Sequence, residues 1–196
     1  MAVDRERVAA LVRELLAAIG EDPERPGLRL TPHRVGDAYA EFFAGVGADA
    51  AAPLAHTISV SRGPAPDTLP SGAVMLRDIR FRSICEHHLL PFRGHAHIAY
   101  LPGGQVVGLG ALPKVVDILA SRPQVQERLG EQIADTIADS LDTRGVLVVL
   151  DATHECVTMR GERQSGASTV TIAARGELSE PAARAELIAL LGASRA

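Results

Sequence analysis

Cys85 and His88 stand three positions apart in Cys85-Glu-His-His88, and far along the chain Cys156 closes the triplet His154-Glu-Cys156. A Cys-x-x-His pair can converge on one cation from a tight loop, and a cysteine arriving from a distant strand end would add a third ligand. Three protein ligands leave one tetrahedral position for water, which is the arrangement of a hydrolytic zinc centre; a structural site closes with four. A lone Cys-x-x-His is a weak signal, because buried cysteines often act as plain hydrophobes and loop histidines are common. The recurrence of a histidine and a cysteine at 154 and 156 strengthens it. Spacing alone leaves open which of His87 and His88 faces the ion; the imidazole beside a ligand, and His154 likewise, are candidates for proton transfer.

Arg160-Gly161 follows closely, offering a guanidinium fork for phosphate or carboxylate next to a residue that lets backbone approach a ligand, although a surface arginine is an equal reading. Glu127 falls at the head of a long helical pattern, where a carboxylate gains modestly from the helix dipole and by itself reads as a solvated first-turn acid. His95 and His97 share one face of a strand pattern and receive no role.

The elements that must position these residues are legible from periodicity. Leu11, Val12, Leu15, Leu16 and Ile19 recur at helical spacing before Gly20, and a second helix opens at Thr31-Pro32 with Thr31 as cap and a stripe of Val35, Ala38, Tyr39, Phe42 and Phe43. Residues 48–72, rich in Ala, Pro, Gly and Ser around Arg62-Gly-Pro-Ala-Pro66, read as a connecting loop. Strands are expected over 74–82 and 94–101, with the Cys85-Glu-His-His88 motif in their connection, and again over 146–150 and 168–173. Between the pairs lie a short helix around Leu112–Leu119, tolerable if it starts beside Pro113, and a longer one through Leu129, Ile133, Ile137 and Leu141. A last helix, capped by Ser179 with Pro181 in its first turn, carries Leu187, Ile188, Leu190 and Leu191. Hairpins flanking two helices imply an α+β domain whose helices cover one face of a four-stranded antiparallel sheet. The opposite face needs cover from elsewhere, such as another subunit. The expected division is residues 1–66 as helical arm and linker and 67–196 as the catalytic domain with its C-terminal helix.

At 196 residues and 46% apolar content the chain can bury a core without disulfides. The charge of -4 is spread along the chain, with no basic tract to suggest nucleic acid or an anionic membrane. No apolar run is long enough to span a bilayer and the first residues lack the order of a signal peptide, so a cytoplasmic location is the expectation, where two cysteines are more often ligands or hydrophobes than a disulfide.

Taken together, Ser83-Ile-Cys-Glu-His-His-Leu-Leu-Pro-Phe92, Arg122-Pro-Gln-Val-Gln-Glu-Arg-Leu129, His154-Glu-Cys-Val-Thr-Met-Arg-Gly161 and the helix opening Thr31-Pro-His-Arg-Val35 resemble the GTP cyclohydrolase I family, over about residues 27–176. The resemblance implies the tunnelling fold, in which ββααββ subunits form pentamers stacked into a homodecamer with active sites between subunits. It implies Zn2+ on Cys85, His88 and Cys156, proton transfer by His87 and His154, a guanine ring held by Glu127 with Gln126 nearby, and a phosphate-binding side served by Arg160, Arg34 and Lys114. The implied reaction opens the imidazole ring of GTP at C8, releases formate and yields 7,8-dihydroneopterin triphosphate, on the way to folate and other pterins. One block departs from the pattern: in Gly108-Leu-Gly-Ala-Leu-Pro-Lys114, Gly110 and Ala111 replace the family's usual Ser-Lys, and Lys114 its Arg. A lost charge-assisted contact weakens binding by about one to two orders of magnitude. Two alternatives follow: a specialised paralogue acting on a less phosphorylated guanine nucleotide or related purine or pterin, and a non-catalytic zinc-containing binding or scaffold protein.

Overall fold

A computed structural model describes residues 3–60, 72–161 and 163–192. Helices α1 (Arg5–Ala18) and α2 (Thr31–Phe42) pack on each other as an N-terminal pair. Asp4 caps α1 by accepting from the Arg7 N–H, and Gly20, at φ +88, ends it. Thr31 is the first residue of α2 and makes no side-chain cap, so Pro32 sits one position deeper than the sequence suggested, still within the turn whose N–H groups lack helical partners.

The main sheet is built from β2 (Val74–Cys85), β3 (Pro91–Pro102), β6 (Thr143–His154) and β7 (Thr169–Gly176), all antiparallel, in that spatial order. Helices α3 (Ala111–Ala120) and α4 (Gln126–Ser140) lie between the two hairpins in sequence. Each strand runs further than its hydrophobic pattern indicated: β2 continues through Ser83-Ile-Cys85, because Ile84 still pairs with Pro91. The α+β order ββααββ, with an N-terminal helical pair, is that of the tunnelling fold.

Four small elements were not legible. Within the expected loop 48–72, a 3-10 turn (Ala52–Leu54) buries Leu54, and β1 (Thr57–Ser59) pairs with β4 (Gln105–Val107). A two-residue strand, β5 (Pro123–Gln124), adds to the sheet edge parallel to β2, with Cys85 opposite Gln124. The Arg62–Pro66 stretch and the boundary expected between residues 66 and 67 lie outside the described residues.

One sheet face meets α3 and α4. Because side chains alternate along a strand, Ile79 and Phe81, Phe92, Ala96, Ile98 and Tyr100, and Val146, Val148, Leu150 and Ala152 point together at Leu112, Val115, Val116, Leu119, Leu129, Ile133 and Ile137. Each Val, Leu, Ile or Phe side chain among them contributes about 1.5–3 kcal/mol by leaving water. The opposite face is covered at one end by the chain itself. After a 3-10 turn (Glu177–Ser179), helix α6 (Pro181–Gly192) sets Leu187, Ile188 and Leu191 on Ala99, Leu147, Val149 and Leu178. Ser179 thus ends that turn, and α6 supplies cover expected from another subunit. The other end of this face stays open, as a cavity of about 420 Å³ lined by Arg80, Arg93, His95, Asp151 and Ser168. Among the described residues no helix is long and apolar enough to cross a membrane.

The helical pair is tied to the sheet through charge and backbone. Glu41 pairs with Arg82, whose guanidinium lies 5.4 Å from the centre of the Phe42 ring. Arg122 donates to the carbonyls of Gly45 and Ala48, both at 2.8 Å.

At Gly94 the strands leave no room for a side chain: a Cβ there would lie 2.0 Å from the Asp151 carbonyl oxygen and 2.6 Å from the Ala152 Cα. Gly94→Ala is therefore expected to push β3 from β6 and to destabilise the fold by roughly 1–3 kcal/mol, read as a lower midpoint in chemical denaturation. An unchanged midpoint would show that the pair tolerates separation.

Candidate metal centre and its surroundings

The strand register brings the distant motifs together. Ser83 pairs with Phe92, and Phe92 pairs with His154, so the end of β2, the start of β3 and the end of β6 form one row. Cys85 is the last residue of β2, two positions beyond Ser83 and on the same face. A four-residue helix, α5 (Glu155–Thr158), starts directly after His154 and carries Cys156.

Between β2 and β3 the chain reverses in a tight turn. The Leu89 N–H donates to the Cys85 carbonyl and the Cys85 N–H to the Leu90 carbonyl, both at 2.9 Å, with Leu89 in the left-handed region at φ 53. The Glu86 N–H is held by the Gln124 carbonyl at 3.0 Å, which explains why so short a strand as β5 persists. The Glu86 carboxylate takes a two-pronged contact from Arg128 of α4, at 2.6 and 3.1 Å. That bond to Arg128 holds the Glu86 carboxyl below its ordinary pKa. Neither Glu86 nor Arg128 was singled out from the sequence; both flank motif residues, and only the fold shows that they meet.

Within this frame one ligand atom from each of Cys85, His88 and Cys156 lies within 4.8 Å of the others, close enough to hold a metal ion. Cys85 is buried, Cys156 half-buried and His88 exposed, and both cysteines are free thiols. Burial, followed by the neighbouring Cys85, pushes the Cys156 thiol above its ordinary pKa. A divalent cation reverses that direction, since a coordinating thiol is deprotonated. Two sulfurs and one imidazole fit zinc, and three ligands leave a position open.

His87 is exposed, and its ring centre lies 6.4 Å from that of His88. His154 is half-buried, stacked on Phe92 at 4.7 Å with 3° between the planes. Burial lowers its pKa, partly opposed by the negative charge of Glu127. Glu127 itself is exposed in the first turn of α4, beside the group whose charge it influences. Arg160 donates to His88 Nε2 at 3.1 Å, which brings its guanidinium to the rim of the trio.

The remaining candidates are placed differently. The Gln126 side chain is 1% exposed, and its carboxamide turns into the sheet. Lys114 is exposed near the start of α3, and Arg34 is exposed near the start of α2; among the described residues no hydrogen bond or ion pair joins either to the trio. Gly110 precedes α3, and a Cβ on it would meet nothing within 4 Å.

The family model described as GTP cyclohydrolase I matches residues 8–192. The chain is 63% identical over 193 residues to the GTP cyclohydrolase 1 of Leifsonia xyli subsp. xyli, covering 98% of both chains. It is 50% identical over 190 residues to that of Rhodopirellula baltica, covering 96% of this chain and 80% of the relative, and 47% identical to that of Streptomyces griseus, covering 97% and 92%.

The Glu86–Arg128 contact locks the loop that carries His88 onto α4, so, if the trio holds a metal ion, Arg128→Ala is expected to weaken metal affinity about 10-fold without moving the unfolding midpoint. Competition with a chromophoric chelator measures the affinity; equal affinities would remove the positioning role given to Arg128.

Proposed function

The chain belongs to the GTP cyclohydrolase I family, and on that premise we propose that it is a zinc hydrolase converting GTP and water to formate and 7,8-dihydroneopterin triphosphate. The observation that carries the reading is the convergence of Cys85, His88 and Cys156 to within 4.8 Å, with His154 two residues from Cys156. A zinc ion held there would supply Lewis acidity and bring water to an ionisable state near neutral pH.

The protein's own groups then have separable tasks. His154 is half-buried between Phe92 and the head of α4, where burial disfavours the charged imidazole, and we give it the task of taking a proton. His87, on the same loop as His88, is the second proton carrier. The Glu127 carboxylate is an acceptor suited to the N–H groups of a guanine ring, and its charge already acts on His154, so ring and base would be neighbours. Arg160 at the rim of the trio offers a guanidinium to phosphate, and Lys114 and Arg34 are further cations for the same tail. We assign the active assembly to a homodecamer of two pentamers in the cytoplasm, and residues 67–196 to the catalytic unit.

His154→Ala is expected to lower turnover by about 10²–10⁴-fold while zinc stays at about one per subunit. Loss of the metal in that variant would make His154 a ligand.

A second reading, a substrate with fewer phosphates, is favoured by Gly110 and Ala111 alone. Formate release measured side by side with GTP, GDP, GMP and guanosine decides it: GTP is expected to give the highest kcat/KM, and equal or better turnover of the shorter compounds would exclude the triphosphate as the preferred substrate. Absence of turnover with all four would leave the binding or scaffold role. Ala111→Lys adds a cation at the start of α3 and is expected to lower KM for GTP about 10-fold, and an unchanged KM would separate that position from the phosphates.

A further inference from the structure

We propose that Gln126 selects the tautomer of His154, keeping Nε2 as the nitrogen that carries the hydrogen and leaving Nδ1 as the acceptor nitrogen of the neutral ring. The inference rests on the role in proton transfer given to His154 above, and gives Gln126 a positioning task in place of contact with the guanine ring.

The argument follows the hydrogen-bond direction outward from the sheet. Gln126 is the first residue of α4 and its side chain is 1% exposed. Its carboxamide nitrogen lies 3.1 Å from the Leu150 carbonyl oxygen, 2.8 Å from that of Thr169 and 3.2 Å from the Thr171 hydroxyl. Carbonyl oxygens only accept, so the amide must present its NH₂ to them; turned the other way it would set oxygen against two oxygens in a buried place. The Gln126 Oε1 is therefore aimed at His154 Nε2, 2.7 Å away. An amide oxygen only accepts as well, so Nε2 must carry the hydrogen.

Stacking on Phe92, with 3° between the planes, holds the ring against rotation out of this contact. The two carbonyls come from β6 and β7, whose register sets Leu150 opposite Thr171 and Ala152 opposite Thr169. The backbone pairing of the sheet thus propagates through one carboxamide to a proton position on the imidazole.

The test uses the zinc-loaded full-length protein with nitrogen-labelled histidine, studied by solid-state NMR, His154 being assigned by difference from His154→Asn. Wild type is expected to show Nε2 as the protonated, pyrrole-type nitrogen, and protonation of neutral His154 at Nδ1 alone overturns the inference. Gln126→Leu is expected to lose that fixed state and to lower kcat about 10²-fold, with KM for GTP changed by less than about 3-fold. Gln126→Glu sets an oxygen against the Leu150 and Thr169 carbonyls, so the buried carboxyl must be protonated there; its hydroxyl then donates to a carbonyl, its other oxygen still accepts from Nε2–H, and the variant is expected to keep Nε2 protonated and to recover kcat relative to Gln126→Leu. A raised KM at unchanged kcat, with the His154 signals as in wild type, would instead place Gln126 on the substrate and end the proposal. If Gln126→Leu fails to fold, the wild-type and Gln126→Glu spectra still decide. The spectra need no turnover, so absence of formate release from wild type would count against the proposed reaction and leave the tautomer assignment standing on its own signals.

Discussion

The pairing of Phe92 with Ser83 on one side and His154 on the other is the constraint from which the site follows. Side chains alternate along a strand, so a slip of one residue between β3 and β6 would carry His154 off the face where Phe92 and Gln126 hold it, and would expose Val146, Val148 and Leu150 at once. The same apolar residues that α3 and α4 bury also hold this row in register. Gly94, two residues beyond Phe92, lets β3 approach β6 closely at this end.

Around that row the polar groups form a layer that transmits position rather than adding much stability. Glu86 and Arg128 connect the metal loop to α4, Gln126 connects α4 to β6 and β7, and Arg175 connects β7 back to Glu131 and Asp135 of α4. The ion pairs are largely exposed, where such pairs contribute little on their own. Their effect is geometric, because each fixes an element carrying a site residue, and α4 takes part in all three.

The convergence of Cys85, His88 and Cys156 was legible because the chain has two cysteines and their spacing to histidine has a chemical meaning, and the long elements because apolar residues repeat at 3.6 or 2. The three-residue β1 and β4 and the two-residue β5 carry no period, and their pairing depends on partners remote in sequence. The apolar residues of α6 were visible, but their target, Ala99 with Leu147 and Val149, lies on alternate positions of strands whose other face is also apolar. Gln126 shows the limit most plainly. Residue type marks it as polar and close to Glu127, yet its orientation is set by backbone carbonyls of Leu150 and Thr169, which no side-chain pattern encodes. The substitutions Gly110 and Ala111 were visible at once, and the structure adds open space at Gly110.

The central claim is that Cys85, His88 and Cys156 form an open zinc centre. X-ray absorption at the zinc edge of the purified, zinc-loaded protein tests it most directly. The account predicts two sulfur neighbours, one imidazole nitrogen and one further light atom from solvent. A shell without sulfur, or one closed by a fourth protein ligand, would contradict it.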